Sequence, residues 1–506
     1  MPQLRWEYKK VDDVPREGAM RQIDDLGLFW LPGEDDNAVS ARLTFDPASS
    51  DGIKLSIVGR RENSPLLRGG SHPRIHGIVK KDLITLDDCI PGKSSSSSSG
   101  VDYHSYRPNR MFIGHHLTDS NDRMNFDSVT VELGGLPSWI RFKDMVEVWN
   151  HEEKSAAPLY ELQFTPSSEQ SASFSRGELS VVSLWETEGR GGDDGRAGMR
   201  QWPAIKLAYS DLQPFRDIET DIRHVHDLVT LCMDTYVAVD RVSLRNSSVR
   251  ARNIGGGEFD FPQAIEYVTQ PIRYTSPEER KVINEHRMFL TFAEAGGVST
   301  LAGWIDVAPR FHRALMSMMS VQHARHMYME NRFLNVAFAA EAFHRELYDE
   351  SYMEPAEHAA LLKSYLDKTP PEHHEWLVGK LSFANSPPFR KRLIKLARSS
   401  RPSISEVIHN LDHWARIVTS VRNDLTHLKS GAEQFRGRDL YFLSESIYTV
   451  VRYCMLLEAG IAPETLGEGL KRYSIRWYAD RLKTALDDAA AVIKRNDERR
   501  SDLTVQ

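Results

Sequence analysis

Cysteine is nearly absent from this 506-residue chain; the three that occur, Cys89, Cys232 and Cys454, lie far apart and form no CxxC pair. Such spacing argues against a disulfide framework and against a cysteine-ligated zinc site, and it fits a reducing compartment. Long apolar runs are missing too, since nowhere do about twenty apolar residues follow one another, the length a membrane helix needs. The opening MPQLRWEYKKVDDVPRE carries charges where a signal peptide needs an apolar core. We therefore expect a cytoplasmic protein with no targeting or membrane segment. A surplus of positive charge is also lacking. The net charge of −7 argues against wholesale coating of nucleic acid but leaves room for a local basic patch, because a ligand feels the field of the patch. Phosphate loops of the GxGxxG and Walker types, HExxH and GxSxG do not occur in a supporting context, so no cofactor is expected.

The chain is 41% hydrophobic and 27% charged, the balance of a globular protein. Its first half alternates short β-branched and aromatic runs with turn signals: Arg42 to Phe45, Ile53 to Val58, Ile84 to Leu86, Ser128 to Leu133, Leu179 to Trp185 and Ala204 to Tyr209. The serine run Ser94 to Ser99 and the stretch GRGGDDGRAG from Gly189 to Gly198 lack the apolar side chains of a strand and are expected to be mobile loops. Apolar residues at helical spacing from Asp211 to Met233 predict a helix capped by Asp211 and packed on a sheet. Strands are expected again at Thr235 to Leu244, Ala264 to Val268 and Met288 to Phe292. From Val307 onward long amphipathic periods replace strand signals. Helices are expected at 308–349 with one break, 355–367, 371–382, 387–399, 403–429, 438–459 and 474–494, followed by a frayed tail. The expected architecture is a multidomain α+β chain. Residues 1–305 form a β-rich region with a packed helix and a sub-boundary near 210, and 306–506 form an all-α bundle.

One segment carries chemistry. Ser403 and Glu406 have capping-box spacing, and from there Val407, Leu411, Trp414, Val418, Val421, Leu425 and Leu428 recur in steps of four and three until Gly431, which is placed to end the helix. Arg422 and His427 flank this stripe, about 140° apart on an unbroken helix. They cannot easily meet on one phosphate from one helix. Either two copies pack through the stripe and form a composite cleft, or the helix breaks near Asn423-Asp424. Arg390, Lys391, Arg392, Lys395, Arg398 and Arg401 fall in a stretch without one acid, which suits either RNA phosphates or a solvated face. The pairs His373-His374 and His323/His326 lack a clear third ligand, so no metal is expected.

The string Arg422-Asn423-Asp424-Leu425-Thr426-His427 resembles the Arg-x(4 to 6)-His motif of HEPN ribonucleases, including the Asn after the Arg. Upstream, Glu330-Asn-Arg-Phe-Leu334 and Ala340-Glu341-Ala-Phe-His344 are similar to the first long helix of the ApeA-like HEPN domain. Gly27-Leu-Phe-Trp-Leu-Pro32, Leu43-Thr-Phe45, Gly52-Ile53, Ile75-His-Gly77, Leu83-Ile-Thr-Leu-Asp-Asp-Cys89 and Phe112-Ile-Gly114 resemble that family's N-terminal domain in order. The resemblance implies a metal-independent endoribonuclease acting as an anti-phage, abortive-infection effector, a homodimer through the HEPN domain, and an N-terminal region that restrains it or binds a phage-derived trigger. It implies catalytic roles for Arg422 and His427, an orienting role for Asn423, and contact from Glu341 on the first helix; His344 reads as packing. The competing reading is a non-catalytic HEPN module that binds RNA, nucleotide or protein. A further one is a surface-binding β protein with an unrelated helical oligomerisation domain.

Overall fold

The computed structural model describes residues 21–59, 64–96, 102–117, 124–142, 144–149, 160–188, 198–252, 258–270, 283–348, 350–427, 431–472 and 475–504. The chain divides into two compact units, one of residues 1–226 and 237–284, the other of 227–236 and 285–506.

In the first unit, β1 (Ile23–Trp30), β2 (Val39–Phe45), β3 (Lys54–Gly59), β4 (His72–Val79), β5 (Asp82–Ser96) and β6 (Asp102–Ile113) pair antiparallel in the order β6-β3-β2-β1-β4-β5, and β5 pairs back onto β6. The ring closes into a small barrel with no free edge. Alternate residues point inward, filling it with Phe29, Leu43, Phe45, Leu55, Ile57, Ile75, Leu86, Tyr106 and Met111. Gly77 sits opposite Phe29 in the β1–β4 pair, where a Cβ would stand 2.3 Å from the Phe29 ring, so glycine alone fits.

From β6 the sheet continues openly. After β7 (Asn125–Leu133), α1 (Leu136–Ile140) and a separate hairpin of β8 (Met145–Trp149) with β9 (Tyr160–Phe164) come β10 (Gln170–Phe174), β11 (Gly177–Glu188) and β12 (Gly198–Pro214). Next are α2 (Phe215–Met233) and β13 (Val239–Arg245), then β14 (Arg250–Arg252) paired with β15 (Glu258–Pro262), and β16 (Ile265–Thr269). The order β10-β11-β12-β7-β13-β16-β6 joins the extension to the barrel. Phe215 at the start of α2 packs on Phe112, Phe126 and Tyr267, and Asp221 accepts from the Tyr209 hydroxyl at 2.9 Å. A helix on a sheet was expected there, but it begins later: beyond an irregularity after Ala208, β12 resumes pairing through Gln213 and Pro214, so Asp211 lies in a strand and caps nothing. Ser94 to Ser96 likewise extend β5 against His104, Tyr103 and Asp102. Ser97 to Ser99 and all of GRGGDDGRAG but Gly198 lie outside the described residues.

The second unit is helical: α3 (Gly297–Val307), α4 (His312–His323), α5 (Met329–Leu347), α6 (Pro355–Leu366), α7 (His374–Leu381), α8 (Phe389–Ser399), α9 (Leu411–Thr426), α10 (Gly437–Glu458), α11 (Pro463–Lys471) and α12 (Ile475–Thr504). The expected 308–349 helix does break once, between α4 and α5. Helices α3 and α11 were not anticipated, and residues 495–504 of the supposed tail are the last part of α12. Residues 288–292 are not a strand; Met288, Phe289 and Leu290 are buried in an irregular segment, as periodicity alone cannot tell a short apolar run in a loop from a strand. Helices α6 and α7 bury none of their residues. Their base is closed by Asn385, whose side chain accepts from the Met353 N–H at 2.9 Å and donates to the Met353 carbonyl at 3.0 Å.

Candidate active site

The motif helix is shorter than its hydrophobic stripe. A 3₁₀ turn spans Ser403–Glu406, and α9 starts only after Asn410, whose side chain accepts the His413 N–H at 3.0 Å. The cap is therefore Asn410 and not Ser403, which instead receives the Tyr453 hydroxyl at 3.3 Å. Trp414, Val418, Val421 and Leu425 are buried, and the Trp414 indole donates to Ser446 Oγ of α10 at 2.8 Å. The stripe is thus consumed inside a single chain, so it cannot be the dimer face that its spacing suggested. Leu428 lies outside the described residues.

No break occurs at Asn423-Asp424. The helix runs to Thr426 and His427 is its C-cap, with its N–H on the Asn423 carbonyl at 3.1 Å. Gly431, four residues on, has φ +92° and a backbone so close to Asn496 of α12 that a Cβ would stand 2.2 Å from its side-chain oxygen, so a residue with a side chain would clash there.

Three elements converge on Arg422. Its Nη2 donates to Glu341 Oε2 of α5 at 3.1 Å, its Nη1 donates to Asn423 Oδ1 at 3.3 Å, and its guanidinium lies 5.6 Å from the centroid of the Phe389 ring, the first residue of α8. A guanidinium held by a carboxylate and an aromatic face loses little freedom when it later binds an anion. Glu341 is shared: its Oε1 pairs with Arg345, one helical turn on, at 2.9 Å. His427 is exposed to solvent. Sequence reasoning therefore placed Arg422, Asn423 and Glu341 in one cluster, with His427 at the end of the same helix. It missed Phe389, hidden behind Pro387-Pro388, and Arg345, whose four-residue offset from Glu341 was there to be read.

The basic stretch separates into two sets. Arg390, Lys391 and Arg398 are exposed, with Arg390 near Asp412 at 3.4 Å and Lys391 over the Tyr352 ring. Lys395 is engaged with Glu350 and lies over the Tyr348 ring. Arg392 is a correction: it is buried, donating to the Pro387 carbonyl at 2.9 Å and to His344 Nδ1 at 3.1 Å, and so belongs to the packing that fixes the start of α8. Burial, followed by repulsion from Arg345, holds it below the usual arginine range. His344, also buried, points Nε2 at Glu350; burial first, then the charge of Arg392, pushes it down to about 4.

A family model described as ApeA N-terminal domain 1 matches residues 26–301, over half of the chain, and one described as Apea-like HEPN matches residues 334–465. The chain belongs to the ApeA-like HEPN family. The β-rich half followed by a helical bundle is the architecture this membership implies, and Glu341, Phe389, Arg422 and His427 all fall in the Apea-like HEPN match. Membership suggests a HEPN nuclease-type defence effector. No curated protein and no solved structure gives a match to the chain. Among the described residues no helix is long and apolar enough to cross a membrane.

Proposed function

We propose that this ApeA-like HEPN protein is a metal-independent endoribonuclease whose Arg422 and His427 act on one scissile phosphodiester, and that it serves as an abortive-infection effector against phage. The ribose 2'-oxygen attacks the adjacent phosphorus, the bond to the 5'-oxygen breaks, and the products carry a 2',3'-cyclic phosphate and a 5'-hydroxyl. His427 takes the 2'-proton or returns one to the departing 5'-oxygen, the acid–base work that a positioned imidazole performs. Arg422 holds the non-bridging oxygens as charge grows on them, and Asn423 keeps the guanidinium oriented. DNA lacks the nucleophile. The observation that carries this reading is the Arg422 guanidinium, fixed by Glu341 and Phe389 five residues before a solvent-open His427.

Because the two side chains leave one straight helix about 140° apart, a second copy supplying the other member of the pair completes the site. That homodimer uses a face other than the buried stripe. The β-rich half, by this reading, restrains the enzyme or receives a phage-derived trigger in the cytoplasm. The test is RNA integrity in bacteria carrying wild type or His427→Ala, before and after phage challenge. Fragments ending in cyclic phosphate in wild type alone are expected. Intact RNA in both strains, with wild type still protecting the culture, would point instead to a module that binds without cutting.

A further inference from the structure

Glu341 spans two arginines that differ in how firmly they are held. Its Oε2 meets Arg422 and its Oε1 meets Arg345, at 3.1 and 2.9 Å. Arg422 is 32% exposed and rests on Phe389, whereas Arg345 is 52% exposed and held within its own helix by an i,i+4 pair. Such a pair contributes little at a surface, so Arg345 exchanges the carboxylate for a better anion at little cost. Two guanidiniums on one carboxylate also leave a positive surplus beside Arg422, which a phosphate strand neutralises.

We propose that Arg345 is a second phosphate-contacting residue of this site, gripping the RNA backbone next to the phosphate held by Arg422. The proposal rests on the ribonuclease reading. It divides the labour: Arg422 stays fixed on the phosphate that reacts, and Arg345 swings from Glu341 to a neighbouring phosphate and sets affinity. On α8, Arg390 and Lys391 follow Phe389 in sequence and are exposed.

The test uses the full chain and a fluorescein-labelled, 2'-O-methyl single-stranded RNA of roughly 20 nucleotides, which keeps its phosphates and cannot be cut. Arg345→Ala is expected to weaken binding about tenfold and to reduce the slope of log Kd against log salt by about 0.7, the value of one single-strand phosphate contact. Arg345→Lys restores most of that slope, because a point charge suffices. In cleavage of ordinary RNA the loss falls on KM. Wild-type affinity and salt slope in Arg345→Ala would overturn the proposal, as would a loss confined to kcat, which would mark Arg345 as acting through Glu341. If wild type binds but neither variant differs, this inference alone fails; if wild type neither binds nor cuts RNA, the ribonuclease reading fails and takes this one with it.

Discussion

Removing the charge of Glu341 while keeping its shape separates positioning from packing. In Glu341→Gln the amide oxygen still reaches Arg422, but the charge-assisted bond at 3.1 Å is lost. Hydrogen bonds to charged groups contribute about 1.5–3 kcal/mol, and with the two side chains 32% and 19% exposed solvent screening reduces the pairwise part to about 1 kcal/mol. The clean measurement is a double-mutant cycle of Glu341→Gln and Arg422→Gln by urea unfolding, which requires no activity. Loss of the Arg345 contact is common to both arms containing Glu341→Gln and cancels, leaving the Glu341–Arg422 coupling. Under single-turnover conditions the same energy corresponds to about a fivefold slower cut in Glu341→Gln. Additive effects on stability, within about 0.3 kcal/mol, would refute the claim that Glu341 holds Arg422.

Acid provides a second test. The folded value of His344, about 4, lies below the ordinary 6.5, so the unfolded chain binds one more proton in between. The stability this contributes is fully present above about pH 6.5 and is lost as pH falls toward 4, at a slope approaching about 1.4 kcal/mol per pH unit; in urea melts across that range His344→Gln should lose this part of the slope. Ser446→Ala leaves the buried Trp414 N–H without its acceptor and is expected to lower unfolding free energy by about 1–3 kcal/mol, seen as a lower midpoint with unchanged m. All three thiols are buried, and burial pushes Cys232 and Cys454 up to about 12. A thiol reagent at neutral pH should therefore label none in the native protein and all three in denaturant.

Much of this architecture could be read from the chain because hydrophobic period reports burial directly. The run Arg42 to Phe45 lies in strand β2; Trp414, Val418, Val421 and Leu425 step by four and three and form one buried helical face. The errors came where a distant partner claimed a side chain. Ser403 satisfies the local rule for a cap, yet Tyr453 takes its hydroxyl and Gly467 of α11 packs so close that a Cβ there would stand 2.7 Å from it. Helix α11 itself was concealed by Gly467 and Gly469, poor helix formers. Gly469 is required because a Cβ would approach the Phe289 carbonyl to 2.7 Å. In the candidate site the motif residues were legible, while Phe389 and the burial of Arg392 were not. Both depend on α8 lying against α5 and α9, which no local pattern encodes. The stripe was seen correctly and assigned to the wrong neighbour, since periodicity says that a face is covered without saying by which chain.

The helices α6 and α7 bury nothing, and a single asparagine clasps the two ends of their excursion. Cutting them away and joining Met353 to Asn385 through a short glycine turn would remove apolar surface from water and leave the bundle's interior untouched. This segment can therefore drift in sequence or length at almost no thermodynamic cost, whereas every neighbouring helix is held by what it covers. Shortened chains of this kind should melt where the parent does, and a large fall in melting temperature would show that the two helices support the bundle after all.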